Sequence, residues 1–355
     1  MPLHSTAVDE AGGICRRKAL RGGVLLGALA VGGILGGCGL RLERSAPSVP
    51  LLPAARPYPG ADALRAELAR CRVAQEGAQD WSRAGGPALA RTLVQLHAVQ
   101  IDALEARLRE VHETVPTPSA ASPGSTPAPT ARSAGGGTGL QDVLLAAERA
   151  GIAGSQLAST PAADRSLLAG CLVGRAQAAR LLGAPALAGP RSPQPASPEE
   201  AAELLGVVHP VLYGLEVATA VVVVARAPLA KVARLSLTSV QRQRQVLVQA
   251  AGSSAPAPRL GYTLPGPIDT APAAQALARD LLSDLADAYL RMIGRLPQAA
   301  DAGPRAQVAR ADGTTRPDAE GADLAAAIAG LLGWAREAEF WRGTWGAPPR
   351  AVPGG

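Results

Sequence analysis

From Ser197 to Arg226 the chain reads SPEEAAELLGVVHPVLYGLEVATAVVVVAR. Ser197 as a cap, Pro198 at the first helical position and Glu200 three residues after the cap start a helix. Pro228 ends it. The four consecutive valines favour a strand, but the cap, a length of about eight turns and the following proline agree on a helix. A membrane span is excluded on length, because Glu216 and Arg226 enclose nine uncharged residues where a span needs about 20. A helix this apolar belongs in the middle of a packed bundle.

Glu216 is then the odd residue, since a lone buried carboxylate needs a partner or a proton. A second helix follows from about Leu229 to Ala250. Folding the two helices back on each other near residue 227 brings Glu216 opposite residues near 238, with Arg242 one turn further. The expected answer is a buried Glu216–Arg242 ion pair, with Arg234 as the second choice.

Helical periodicity governs most of the remaining chain. Leu64, Leu68 and Cys71 fall at helical spacing, and after Gly85-Gly86 and Pro87 a second stripe runs through Leu89, Leu93, Leu96, Leu104, Leu108 and Val111, so 60–187 should open with a helical hairpin. Residues 114–139 are low-complexity and too polar to order themselves. Periodicity returns at Leu140 and again after Thr160-Pro161, where Leu167, Leu168, Cys171, Leu172 and Leu182 mark one helical face. A linker at 188–196 separates this region from 197–350. There, helices near 198–226, 229–250, 272–296 and 321–343, with one long proline-rich middle connection, suggest a four-helix bundle of ferritin-like connectivity.

The N-terminus reads as a targeting segment rather than part of the fold. CRRKALRGGVLLGALAVGGILGGC has a basic start, an uncharged glycine-diluted stretch and a cysteine directly after it. Leu35-Gly36-Gly37-Cys38 resembles a bacterial lipobox, so residues 1–37 should be removed and Cys38 acylated. Arg16-Arg17 followed by Lys18-Ala19-Leu20 resembles the twin-arginine export motif; an ordinary basic start for the general secretory pathway fits the same residues. Either route places the mature chain on the extracytoplasmic face, anchored to the cell membrane through lipid on Cys38. Residues 38–59, proline-rich and aperiodic, would tether the folded part. The mature chain keeps two thiols, Cys71 and Cys171, and in an oxidising compartment an even pair is expected to form a disulfide.

Composition narrows the function. Residues 1–37 hold four basic and two acidic side chains of a chain whose net charge is +6, which leaves +4 on the remainder. Acids and bases there are interspersed, and few aromatics sit among the arginines, which argues against nucleic-acid binding. No Gly-x-Ser-x-Gly elbow, phosphate-binding loop or zinc motif is present, so no catalytic residue, cofactor site or metal site is expected. Trp334, Phe340, Trp341 and Trp345 concentrate the aromatics near the C-terminus. They either plug the end of the bundle or form a ligand or partner surface.

The alanine-rich helix with Glu216, Tyr262-Thr263-Leu264-Pro265 with Pro267, Tyr289 after a leucine-aspartate run, and the Trp341-Arg342-Gly343 to Val352-Pro353-Gly354 ending together resemble the ferritin-like domain of unknown function found in actinobacterial lipoproteins. The resemblance covers about 198–354. Di-iron members of the ferritin-like class use Glu-x-x-His on two of their helices. No glutamate here has that histidine: Thr219 stands three residues after Glu216, and His209 is the sole histidine of the bundle region. The expected fold is all-α, a ferritin-like four-helix bundle preceded by a helical hairpin region. The expected function is that of a non-enzymatic, lipid-anchored protein binding an envelope protein partner or an apolar ligand. The rival is a degenerate ferritin-like metal-binding oxidase or storage protein.

Overall fold

The computed structural model describes residues 57–117, 137–151, 154–185, 197–297 and 317–352. Among them are eight α-helices and no strand: α1 (Ala61–Arg83), α2 (Ala88–Glu110), α3 (Gly137–Arg149), α4 (Ala162–Leu181), α5 (Pro198–Val224), α6 (Ala230–Ala251), α7 (Ala271–Arg295) and α8 (Pro317–Thr344). The all-α class is that read from the sequence. Arg16, Arg17 and Cys38, the core of the low-complexity stretch and the linker at 188–196 lie outside the described residues. The tether expected to reach residue 59 is shorter than that, because the Tyr58 amide donates to Glu113 at 2.7 Å and its ring packs against the core.

Local chemistry sets the helix starts. Ser197 caps α5, its hydroxyl accepting from the Glu200 amide at 3.2 Å, and Thr270 caps α7, accepting from the Ala273 amide at 3.3 Å. The α1–α2 hairpin turns through Gly85, at φ +82°, and Gly86, where a Cβ would sit 2.6 Å from the Trp81 carbonyl oxygen.

The expected separation of 60–187 from 197–350 into distinct domains is not what the chain does. One hydrophobic core runs from Leu64 and Leu104 through Leu172 to Leu205, Leu285 and Leu331. α5 packs on α6 and α7, α7 on α8, and α4 lies against both α7 and α8 while also touching α1, α2 and α3. Every residue of α4 from Leu168 to Ala179 is buried, so this helix, not α5, is the one enclosed all round. Its small residues allow the close approach: a Cβ on Gly174 would lie 2.7 Å from both the Ala351 carbonyl oxygen and Gln100 Nε2.

α5 is instead one-sided. By length and composition it could cross a membrane, which corrects the length argument from Glu216, yet half of its apolar window is buried inside the protein. Leu205, Val208, Leu212, Leu215 and Val222 face the core, whereas Glu203, Gly206, Glu216, Ala220 and Val224 lie exposed along the other side. Glu216 is therefore on the solvent stripe, about 100° around the helix from Leu215. The expected buried pair with Arg242 does not form. Arg242 and Arg234 are themselves exposed, and Arg242 faces Glu337 on α8 at 3.6 Å. Alanine and valine on the outer stripe hid the amphipathicity that would have placed Glu216 outside.

The buried charges that do matter sit on α4. Arg165 donates through Nη1 to the Leu296 carbonyl at the end of α7, at 2.6 Å, and through Nε to the Thr160 carbonyl at 2.9 Å. Arg175, fully buried, donates through Nη1 to Glu67 on α1 at 3.0 Å. Its Nη2 reaches the carbonyls of Ala147, Glu148 and Ala150 at the C-terminal end of α3, at 2.6, 3.0 and 2.9 Å. Burial works against this charge, but Glu67, with Cys71 and Glu148 beside it, more than offsets burial and the Arg175 pKa is raised. Arg175→Met should destabilise the fold by about 3–5 kcal/mol, because it leaves Glu67 Oε1 and the three α3 carbonyls without their buried donor, with only Arg70 remaining on Glu67 Oε2 at 3.1 Å. Adding Glu67→Gln should recover part of that loss. Denaturant titration of the two variants checks both, and a single-variant loss under about 1 kcal/mol would show that the pair is not holding the fold.

Candidate functional site

Because α6 meets α8 only sparsely, a gap opens between α4 and α6 with α8 beneath it. The gap is a cleft of about 1030 Å³, at the upper end of the range of about 300–1,000 Å³ usual for ligand sites. Trp334, Phe340 and Trp341 line it from α8, with Val173 and Ala176 from α4 and Val246 from α6.

The aromatic cluster at the C-terminus divides its roles. Trp345 is fully buried and donates through Nε1 to the Ser236 hydroxyl at 3.2 Å, closing the end of the core. Trp334 is nearly buried, with its ring 5.4 Å from that of Tyr289. Phe340 and Trp341 are half-buried with ring centroids 4.7 Å apart, and the Arg180 guanidinium carbon stands 3.8 Å over the Phe340 ring. The two readings of these aromatics thus apply to different residues: Trp345 plugs, while Phe340 and Trp341 face the cleft.

A polar chain crosses the cleft wall. The buried Tyr289 hydroxyl donates to Gln243 Oε1 at 2.7 Å, and Gln243 Nε2 donates to Glu337 at 3.1 Å. The Ser239 hydroxyl also donates to Glu337, at 2.5 Å. Burial and the nearby Glu337 carboxylate push the Tyr289 phenol pKa well up, so it stays a donor. Arg149, Arg180, Arg242 and Arg336 also line the cleft. Burial pushes the Arg336 pKa down to about 10 and lowers that of Arg180. Gln177 Oε1 and Trp341 Nε1, on lining residues of α4 and α8, are buried without a hydrogen-bond partner in the protein.

A second polar cluster lies inside the α1–α4 region. His97 on α2 meets Glu148 through Nε2 at 2.6 Å and Gln100 Oε1 through Nδ1 at 3.0 Å, all fully buried. Gln100 donates to the Cys171 carbonyl at 3.1 Å and to the Ala351 carbonyl at 2.8 Å, and its Oε1 lies 3.5 Å from Cys71 Sγ. Cys71 and Cys171 are both buried and both free thiols. Burial raises both of their pKa values. Each stands one turn from the ion pair that joins α1 to α4, Glu67 preceding Cys71 by four residues and Arg175 following Cys171 by four. No sequence signal marked His97, Glu148 or Arg175, because the pairs His97–Glu148 and Arg175–Glu67 join residues 51 and 108 apart along the chain.

Among the described residues, no three His, Cys, Asp or Glu side chains gather as a set that could hold a metal ion. His209 is buried on α5, its pKa lowered by burial and by Arg244. Two arginines of the C-terminal ending are structural: Arg342 Nε donates to Glu339 at 2.7 Å, and Arg350 reaches back to Asp287 on α7 at 2.7 Å. No family model matches this chain, and no curated protein or solved structure matches it significantly.

Tyr289→Phe should cost about 1–3 kcal/mol, since it leaves the Gln243 carbonyl buried without its donor. Urea unfolding at neutral pH measures this, and an unchanged midpoint would mean that Gln243 finds another partner.

Proposed function

We propose that this chain is a non-enzymatic, lipid-anchored binding protein of the extracytoplasmic face of the cell membrane, and that the cleft between α4 and α6 holds its ligand. The cleft carries the reading: Phe340 and Trp341 offer apolar rings at a site of about 1030 Å³, where a protein of purely structural role would gain by filling the space. Export as a lipoprotein rests on Arg16-Arg17, the apolar stretch after them and the lipobox-like sequence before Cys38. An apolar ligand suits a protein held at a membrane surface. The helical order α6–α5–α7–α8 is consistent with a ferritin-like bundle, in line with the resemblance of residues 198–354 to that lipoprotein family. The rival reading, a metal-binding oxidase or store, has no ligand set among the described residues to support it.

The compartment also bears on Cys71 and Cys171. Glu67 paired with Arg175 puts the two cysteines one turn along from a contact between α1 and α4. We infer that they form a disulfide in the mature protein. Buried thiols with raised pKa values are slow nucleophiles, so on the general secretory route the bond forms before the helices close over it, whereas after twin-arginine export it locks a fold already made.

One measurement addresses all three parts. A native mass spectrum of protein gently extracted from membranes should show the chain starting at Cys38 with added lipid, a mass lower by two hydrogens for the disulfide, and a bound small molecule that Trp341→Asp removes. Two alkylatable thiols would end the disulfide, an unmodified Cys38 the anchor, and ligand-free protein the binding reading. Independently, Cys38→Ala should move the protein out of the membrane fraction or leave it unprocessed.

A further inference from the structure

We infer that the tip of the α5–α6 hairpin, from Val224 to Leu235, docks on the anionic headgroups of a membrane. The inference rests on the reading of this chain as a protein of the membrane surface, but it makes no use of lipid on Cys38. Charge is the first argument. Between Glu216 and Asp269 stand six basic residues and no acidic one, a local excess as large as the net charge of the whole chain. Three of the six, Arg226, Lys231 and Arg234, belong to the tip. All three are exposed, and none forms an ion pair among the described residues.

The fold itself makes no use of these charges. The amides of Ala225, Arg226 and Ala227 close α5 by donating to the carbonyls of Val221, Val223 and Val222. That closure holds Arg226 at φ +50°, a left-handed position that glycine usually takes after a helix and at which a side chain costs stability. α6 then begins with no side-chain cap and no acidic residue in its first turn. Lys231 and Arg234 stand instead at the positive end of its dipole, where a carboxylate would be favoured. An anionic surface outside the protein offsets that repulsion.

Apolar groups project among the cations. Val224 is 83% exposed and Leu235 47%. Lys231, Arg234 and Leu235 share one face of α6, three and four residues apart. Basic side chains around projecting aliphatic ones suit the boundary between headgroups and acyl chains. From 217 to 261 there is no Phe, Tyr or Trp to stack on a base, which favours a lipid surface over a nucleic acid.

The helices α1 to α8 pack as one unit, so an unlipidated chain beginning at Gly39 keeps the whole fold and serves for the test. In co-sedimentation with phosphatidylcholine vesicles, it should bind at low salt only where about one lipid in three is phosphatidylglycerol, and rising ionic strength should release it. Arg226→Gly, Lys231→Gln and Arg234→Gln should each weaken binding about fivefold, and the three together about a hundredfold. Arg226→Gly also suits the left-handed backbone, so its unfolding midpoint should not fall and a loss of binding there cannot come from misfolding. Val224→Ser should weaken binding about fivefold. Arg295→Gln, beside the start of α5 where Arg295 pairs with Glu203, should leave it unchanged. Equal binding to both kinds of vesicle, a triple variant that binds like the parent, an equal loss in Arg295→Gln, or no vesicle binding at all would overturn the inference. So would a chain that ignores vesicles and is retained by a single-stranded oligonucleotide, which would give the patch to a nucleic acid. None of these outcomes bears on the Cys38 anchor, which fractionation of Cys38→Ala after a high-salt wash reads separately, since the wash removes protein held by charge alone.

Discussion

Two guanidinium groups on one enclosed helix hold this structure in register. Arg165 and Arg175 are both fully buried on α4, and each closes the C-terminal end of another helix, α7 in one case and α3 in the other. The last carbonyls of a helix lack intrahelical donors and carry the negative end of its dipole. A planar cation with several donors satisfies both needs at once. Because Arg175 also pairs with Glu67, it fixes α1, α3 and α4 together, and Asp164 beside Arg165 does the same for α2 through Arg107 at 2.6 Å. The desolvation of two arginines is offset only where all these partners are in place, which makes the arrangement specific as well as stable.

The position of α4 also accounts for the cleft. α8 gives its surface to α7 on one side and α4 on another, and α6 touches it only sparsely. The space left between α4 and α6 is floored by α8. Tyr289, Gln243 and Glu337 keep that space from closing by holding polar groups in its wall. The C-terminal segment lines the same cleft through Ala347 and Pro349, and beyond it Arg350 reaches Asp287 and the Ala351 carbonyl meets Gln100 over Gly174.

Much of the fold was legible locally. The serine and threonine caps, the prolines at helix starts and the leucine spacings of α1 and α2 placed the helices within a few residues, because those signals act over one or two turns. Burial was less legible. α5 is the most apolar helix and yet has a solvent stripe, since its outward positions are filled by Ala220 and Val224 rather than charges. α4, with Asp164, Arg165, Arg175 and Gln177, reads as half-exposed and is enclosed. Its charges are tolerated through partners far along the chain, such as Glu67 and Leu296, and no local pattern encodes such pairings. The clustering of Trp334, Phe340 and Trp341 with Arg336 was visible in the sequence, whereas Arg149, Arg180 and Arg242 come from three further helices and could not be grouped without the fold.

The enclosure of α4 also sets an order of events during synthesis. Helices α1 to α3 can gather around one side of α4 as soon as residue 181 has emerged, leaving the face of Leu168 and Leu172 uncovered. That face waits for α7 and α8, more than 90 residues later, and Gln100 receives its last acceptor only when Ala351 arrives. A nascent chain therefore carries an unburied apolar stripe while the segment up to α7 and α8 is made, a state that recruits chaperones and aggregates when they are scarce.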